Sequence, residues 1–570
     1  MDAVRERMKP VATAAVAVFI ATALFWLPST RYEFLADDDP EYVVENEHVR
    51  GGLTSANALW AFDCGYAANW HPLAWLSLMA DVSVAGGNGQ DARGPRTTGG
   101  AWTLDASRVT FVMHLHNVLL HAVVALLLFL LLDFLAPGHL AANALLVLLW
   151  AVHPLRCEVT CWISERKELL SVAFMMASVL AYVGRFGTGS PYGYAAALAF
   201  QALALMAKPV AVSLPLVFFA WDWAVCGRRF SRCVLRTAPF AVLAAAASVL
   251  TLVAQTRGGA MSSAVFMPYA GRVSSALKAP LVYLIQTACP VGLSARYPLE
   301  REWQWGWSIA GMAFLLALAF VVVRWWRTRS PLWGAATFGI AWCYGGLIPM
   351  LGIVKVGTQP HSDRYTYWVG CGLCAAVALG IRAAGRRWPG ICAAAARSRA
   401  TWLFALAAVG AYGLAGSFRM KVWRDDETYS RDAYAKSGFF DMGNSLAHRL
   451  FLTGREAEGE AVLRDAVSRA GEARDAAKGY LARYLAAKER PSADDMWEVG
   501  FLARSALAAD PQNEKAHEAL GLAAYRQGNL VEARVHLAAA VESGARDGSA
   551  ARLLETVEKR LSEEGAGHVQ

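Results

Sequence analysis

Charge is scarce in this chain: Asp, Glu, Lys and Arg make up 18% of its 570 residues, while 56% are hydrophobic and the mean hydropathy is +0.31. Ordinary soluble domains carry about 25% charged residues, so one large soluble domain is excluded and a polytopic membrane protein is indicated. Clustered cysteine is also lacking. The ten cysteines are scattered, and the close pairs Cys157/Cys161 and Cys371/Cys374 have no companions at metal-ligand spacing. That pattern predicts neither a zinc site nor a disulfide framework, and no metal cofactor is indicated. A contiguous basic face is missing too. The net charge is +8, but its residues sit in short links such as Gly227-Arg228-Arg229 and Arg324-Trp325-Trp326-Arg327, which read as topology signals rather than a nucleic-acid surface.

What is present is a series of apolar runs. A helix needs about 20 apolar residues to span a bilayer, within a working range of roughly 17 to 25. Candidate spans fall near 11–30, 108–132, 139–156, 169–185, 193–207, 209–226, 237–255, 307–324, 332–354, 366–382 and 401–418. The first has a basic flank, Arg5 to Lys9, and reads as a retained signal anchor. Positive-inside counting places Arg228 to Arg236, Arg324 to Arg329 and Arg382 to Arg399 on the cytoplasmic side with that flank. The ambiguous segment 276–292 then lies at the outer interface or re-enters. About eleven crossings result, with the N-terminus inside and the C-terminus outside.

This topology puts the chemically varied links on one outer side. The first outer loop, 31–107, opens on Asp37-Asp38-Asp39-Pro40-Glu41-Tyr42 and contains Asn69-Trp70-His71-Pro72. A carboxylate partly withdrawn from water can act as a general base; the bland alternative is a solvated polar flank. His71 could shape a polar pocket or sit solvated beside an interfacial Trp70. His153-Pro154-Leu155-Arg156, Glu158 and Ser164-Glu165-Arg166-Lys167-Glu168 form a dense mixed-charge turn, which either pairs with itself in solvent or meets lipid phosphate. Lys208-Pro209 lies between two apolar runs, where a snorkelling lysine is the simplest reading. Gln359, His361, Asp363, Arg364 and Tyr365 precede another span. The Arg364 guanidinium suits phosphate oxygens, with Asp363 as its orienting partner, or the two form a surface ion pair. His114, His116 and His121 share a span with Asn117, but their spacing does not put all three on one helical face.

After Trp423 the composition turns to Ala, Glu, Arg and Leu at helical period. Ala516, Leu520-Gly521, Gly528, Ala533 and Ala540 place small residues where paired helices touch, and Leu446-Ala447, Gly454, Gly459 and Ala466 echo that spacing. The segment reads as two to three tetratricopeptide-like units. The fold expectation is therefore all-α: a membrane domain over 1–424 and a helical-repeat domain over 425–570.

Asp38-Asp39-Pro40-Glu41-Tyr42-Val43, Asn69-Trp70-His71-Pro72-Leu73, His153-Pro154, Glu165-Arg166-Lys167, Lys208-Pro209, Asp363-Arg364-Tyr365-Thr366-Tyr367 and then the repeats occur in this order. In that order they resemble bacterial relatives of the transmembrane and tetratricopeptide-repeat protein O-mannosyltransferases, a GT-C group that uses polyprenyl-phosphate sugars. The resemblance implies inverting transfer of a hexose, mannose by the family's name, from a lipid-phosphate donor to a Ser or Thr hydroxyl of an extracytoplasmic protein. It implies location in the cytoplasmic membrane, Asp38 as base and Asp39 as its partner. Asp37 makes a third consecutive acid and leaves that register open by one. Arg364, Arg166 and Lys167 would hold the donor phosphate, with Tyr42, His71, His153, Glu165, Lys208, Asp363 and Tyr365 lining the pocket, and the repeats would offer an acceptor platform.

Two other functions compete. A flippase for the same lipid-linked sugar would use the outer charges as a gate, although no two-fold repetition is evident. A membrane-anchored scaffold would leave all function to the repeats.

Overall fold

The computed structural model describes residues 2–63, 65–86, 106–184, 191–257, 269–298, 302–352, 361–544 and 548–567. They are helical, with no strand among them. The chain forms two compact units, Met1–Asp425 and Asp426–Gln570.

Among the described residues of the first unit six helices are long and apolar enough to cross a membrane: Lys9–Arg31, Ser107–Leu135, Phe230–Arg257, Trp305–Thr328, Asp363–Arg387 and Arg399–Trp423. A seventh is reached if Leu140–Ala151 and Pro154–Cys161, bent by 60°, form one span. The other runs that bring the sequence count to about eleven lie near the short end of the range needed to span. Pro191–Ala207 and Pro331–Leu347 have 17 residues each, and Arg166–Val183 has 18 and opens on three charges. The segment read as interfacial belongs to a 20-residue helix, Tyr269–Ala288, which buries Ser274, Ser275 and Gln286.

The core of this unit is built around the 30-residue Ala106–Leu135 helix, about 45 Å long at 1.5 Å per residue. Leu128, Phe129, Leu131, Leu132 and Leu135 lie within it, packed with Val172, Met175, Met176 and Val179 of the Arg166–Val183 helix. A smaller core forms under the segment that follows the first apolar helix, where Tyr42, Val43 and Val49 meet Trp75, Leu78, Met79, Met113 and Ile163.

Proline decides where the polar groups emerge. A residue preceding proline is pushed out of the helical region, because the ring crowds its backbone. His153, before Pro154, is extended at φ −65°, ψ 138°, and Lys208, before Pro209, is extended at φ −160°, ψ 142°. Each apolar helix therefore stops at a polar side chain. The segment after the first apolar helix is fixed by capping: the Asn46 side chain accepts from the His48 and Val49 amides, and Thr54 accepts from Asn57.

In the second unit successive helices from Asp426–Ser437 to Ser549–Gly567 pack each on the next. Gly521 lies against Leu537, where an added Cβ would fall 2.7 Å from Leu537 Cγ, and Gly528 turns the chain at φ +80°. Ala516, Ala533 and Ala540 are buried between these helices.

Candidate functional site: a buried charge cluster

The residues between Arg156 and Glu168 do not form a solvated turn. Arg156, Glu158, Glu165, Arg166, Lys167 and Glu168 are all buried, and they pair with distant elements instead of one another alone. Burying so many charges costs several kcal/mol per ion unless each is matched, so the pairing pattern defines the site.

At its centre is Glu165. Its Oε2 lies 2.9 Å from Lys208 Nζ, and its Oε1 lies 3.6 Å from Arg364 Nε and 3.9 Å from Lys167 Nζ. Burial pulls the Glu165 carboxyl upward, but Lys208, Lys167 and Arg364 outweigh it and hold the group at about 2. Lys208 also pairs with Glu168 at 2.9 Å, so it is a member of this cluster and not a snorkelling anchor. Lys167 reaches Asp38 Oδ2 at 3.2 Å and stands 4.2 Å from the centre of the Tyr42 ring. Chain segments far apart in sequence therefore meet through Asp38, Lys167, Glu165 and Arg364.

The two aspartates differ sharply. The Asp38 side chain keeps 38% of its surface exposed, whereas Asp39 is fully buried. Asp39 accepts from the Leu35 amide at 2.9 Å, from the Ser164 amide at 3.0 Å and from the Ser164 hydroxyl. It ties the segment after the first apolar helix to the charged turn. Burial pushes its carboxyl up to about 7 against the opposing pull of these bonds, with the Asp38 charge adding to the rise. Asp37 faces Arg296 at 3.9 Å.

Arg364 is held mainly by Glu158, which accepts from its backbone amide at 2.8 Å and from its Nη1. The guanidinium also lies over the rings of Trp162 and Tyr365. Asp363 is not its orienting partner. That carboxylate accepts from Tyr297 at 2.5 Å and faces Arg419 at 3.9 Å. Glu158 is the orienting residue that sequence reasoning missed; it appeared there only as one acid in a crowded turn.

Arg166 departs from its expected role. It is fully buried, and donates to Asn117 Oδ1 through Nε, to Ser77 at 2.8 Å and Asp81 at 2.7 Å through Nη1, and to the Met113 carbonyl at 2.6 Å through Nη2. All three nitrogens are used by the fold, so it has no fork to offer a phosphate. Arg166→Gln should therefore lower the melting temperature strongly, since breaking a buried ion pair costs about 3–5 kcal/mol. A variant that melts normally yet binds donor weakly would return Arg166 to the phosphate site.

The histidines also separate. His153 accepts from the Leu155 amide through Nδ1 and donates to the Thr287 carbonyl through Nε2 at 3.0 Å, so both nitrogens hold backbone and it does not line the pocket. His71 is buried with its Nδ1 unbonded, and burial together with the nearby Lys167 and Lys208 charges drives it well below the usual histidine range. It is a neutral imidazole beside the cluster. His116 pairs with Asp81 at 2.8 Å, while His121 meets Tyr367 at 2.7 Å and the Ala151 carbonyl, so the histidines of this helix serve different partners. Tyr42 accepts from Asn69 at 3.1 Å. Gln359 and the 87–105 stretch lie outside the described residues.

The titration of Asp39 carries a sign that can be tested. Between about 4, the unfolded carboxyl value, and about 7 the folded state holds the extra proton, so stability falls as pH rises across that window. Melting temperatures measured from pH 4 to 7.5 should show this slope, and Asp39→Asn should flatten it.

Compared with known proteins, the chain matches no family model, and a search of the curated proteins finds no match.

Proposed function

We propose that this chain is a membrane glycosyltransferase that moves a hexose from a polyprenyl-phosphate donor to a Ser or Thr hydroxyl of a protein outside the cytoplasm. The observation that carries the reading is the half-exposed Asp38 carboxylate beside a buried group of cations, Lys167, Lys208 and Arg364, gathered on Glu165. An acid with access to solvent beside fixed positive charge suits a reaction that needs a base at one end and an anion trap at the other.

In this reading Asp38 takes the proton of the acceptor hydroxyl as its oxygen attacks the anomeric carbon from the face opposite the phosphate. The bond from that carbon to the phosphate oxygen breaks, and its electron pair stays on the phosphate, leaving a lipid monophosphate and an inverted glycoside. Arg364 and Lys167 meet the growing phosphate charge, while Glu165 and Lys208 keep both cations in place. Asp39, Glu158 and Arg166 are positioning residues; neutral His71 lines the site. Mannose as the sugar, the outer location of the site and a tetratricopeptide-like acceptor platform in the second unit belong to the same proposal.

The test is transfer in proteoliposomes containing the full chain, a polyprenyl-phosphate [14C]hexose and a Ser/Thr-rich peptide. Labelled peptide supports the proposal. Labelled lipid crossing the bilayer without covalent product would replace it with the flippase reading.

A further inference from the structure

The helical segments that begin at the charge cluster run away from it to a second site. Pro209–Val225, which follows Lys208, extends about 25 Å, and the 22-residue Thr366–Arg387 helix, which follows Arg364, extends about 33 Å. The latter matches the hydrocarbon thickness of a bilayer, about 30 Å. At their far ends lies a cavity of about 710 Å³.

Its walls are strongly basic. Arg228, Arg229, Arg329, Arg382 and Arg386 line it, gathered from three links that are far apart in the chain. Asp222 is buried and engaged by Arg236 at 2.8 Å, Arg228 at 3.4 Å and the Tyr182 hydroxyl at 2.9 Å. Among the described residues that line the cavity five are arginines and none is acidic, and Arg382 donates to the Leu135 carbonyl at 3.1 Å. Positive-inside counting treats each of these links as a separate topology signal; the fold turns them into one concave surface.

Aromatic rings form the rest of the wall. Trp223, Trp325 and Trp326 pack against one another, with centroids 4.6 Å and 5.4 Å apart for Trp223 to Trp325 and Trp326. Arg329 lies 4.7 Å and 4.4 Å over the rings of Trp325 and Trp326. Its backbone is at φ +51°, the left-handed region that L side chains avoid. A glycine would end the Trp305–Thr328 helix there without strain. The rim carries exposed Phe230 and Trp326, and the surfaces leading to it expose Val234, Leu235 and Val323.

We propose that this cavity binds the headgroup of an anionic phospholipid, its phosphate among the arginines, its glycerol region against the tryptophans and its acyl chains along the apolar helix surfaces. Clustered guanidinium groups supply bidentate donors for phosphate, and interfacial tryptophan sets the depth at which a lipid headgroup lies. A soluble phosphate ester would use the arginines but gains nothing from an apolar rim. The site is remote from the charge cluster and does not depend on the glycosyltransferase reading.

The experiment uses the full chain in nanodiscs of phosphatidylcholine with or without 20% phosphatidylglycerol, read by tryptophan fluorescence and by native mass spectrometry of bound lipid. The wild type is expected to retain phosphatidylglycerol with at least tenfold preference over phosphatidylcholine. Arg329→Gly with Arg386→Ala should abolish that preference, and the glycine, which relieves the backbone, guards against simple misfolding. Equal retention of both lipids by the wild type overturns the proposal, as does an unchanged preference in the double variant. So does inorganic phosphate at millimolar concentration reproducing the fluorescence change, which would reduce the cavity to a free-anion site.

Discussion

Asp38→Asn is expected to lower hexose transfer by about 10²–10⁴-fold, the usual contribution of a positioned general base, with little change in melting temperature. The thermal expectation follows from exposure. The Asp38 side chain keeps 38% of its surface, and its buried partner Lys167, at 3.2 Å, still has Glu165 at 3.9 Å and the Tyr42 ring at 4.2 Å when the Asp38 charge is removed. Asp39→Asn should behave in the opposite way. Asp39 receives the Leu35 and Ser164 amides and the Ser164 hydroxyl on its two oxygens, and asparagine keeps only one acceptor oxygen for them. Each buried donor left unpaired costs about 1–3 kcal/mol, so this variant should melt earlier and lose activity through loosening of the 163–165 turn. Transfer rate and melting temperature measured on both variants separate the roles. A silent Asp38→Asn, or an Asp39→Asn that melts normally without activity, would move the base to Asp39.

The second large effect is at Arg364. Its removal takes away the guanidinium that meets the leaving phosphate, so Arg364→Ala should lower kcat by about 10²–10³-fold, with a smaller change in KM, because the charge it meets grows in the transition state. Arg364→Lys should recover only part of this, since an ammonium cannot reproduce the planar fork. The same change also strands Glu158, and removing one partner of a buried pair costs about 3–5 kcal/mol. Activity lost through unfolding must therefore be distinguished from activity lost through chemistry. Adding Glu158→Gln to Arg364→Ala removes the stranded charge. Melting temperature should recover while kcat does not; recovery of both would show that Arg364 acts on the fold alone.

These expectations could be only partly written from the sequence. Asp38 and Arg364 were legible as candidates because an acid triplet and an Asp-Arg-Tyr motif flank apolar runs. Their partners were not. Asp363 adjoins Arg364 in the chain, yet the start of the helix at Thr366 turns it toward Tyr297, and Glu158 takes its place from about two hundred residues away. Arg166 and Lys167 looked equivalent as neighbouring cations. Consecutive helical residues point about 100° apart, so one enters the core beneath Met113 and the other reaches Asp38. Lys208 read most simply as a snorkelling residue because sequence gives no sign of a carboxylate buried opposite.

What the chain determined by itself was local: apolar runs that must be helical in a bilayer, prolines that stop them at His153 and Lys208, arginine-rich links, and an Ala-rich tail of paired helices. These follow from backbone sterics and solvent transfer, which act over a few residues. Which charges meet was decided only by tertiary structure. A buried ion is tolerable only where an opposite charge lies within a few ångströms. That condition joined Asp38, Lys167, Glu165, Lys208 and Arg364 at one end of the helices, while the packing of three distant links set five arginines around one cavity at the other.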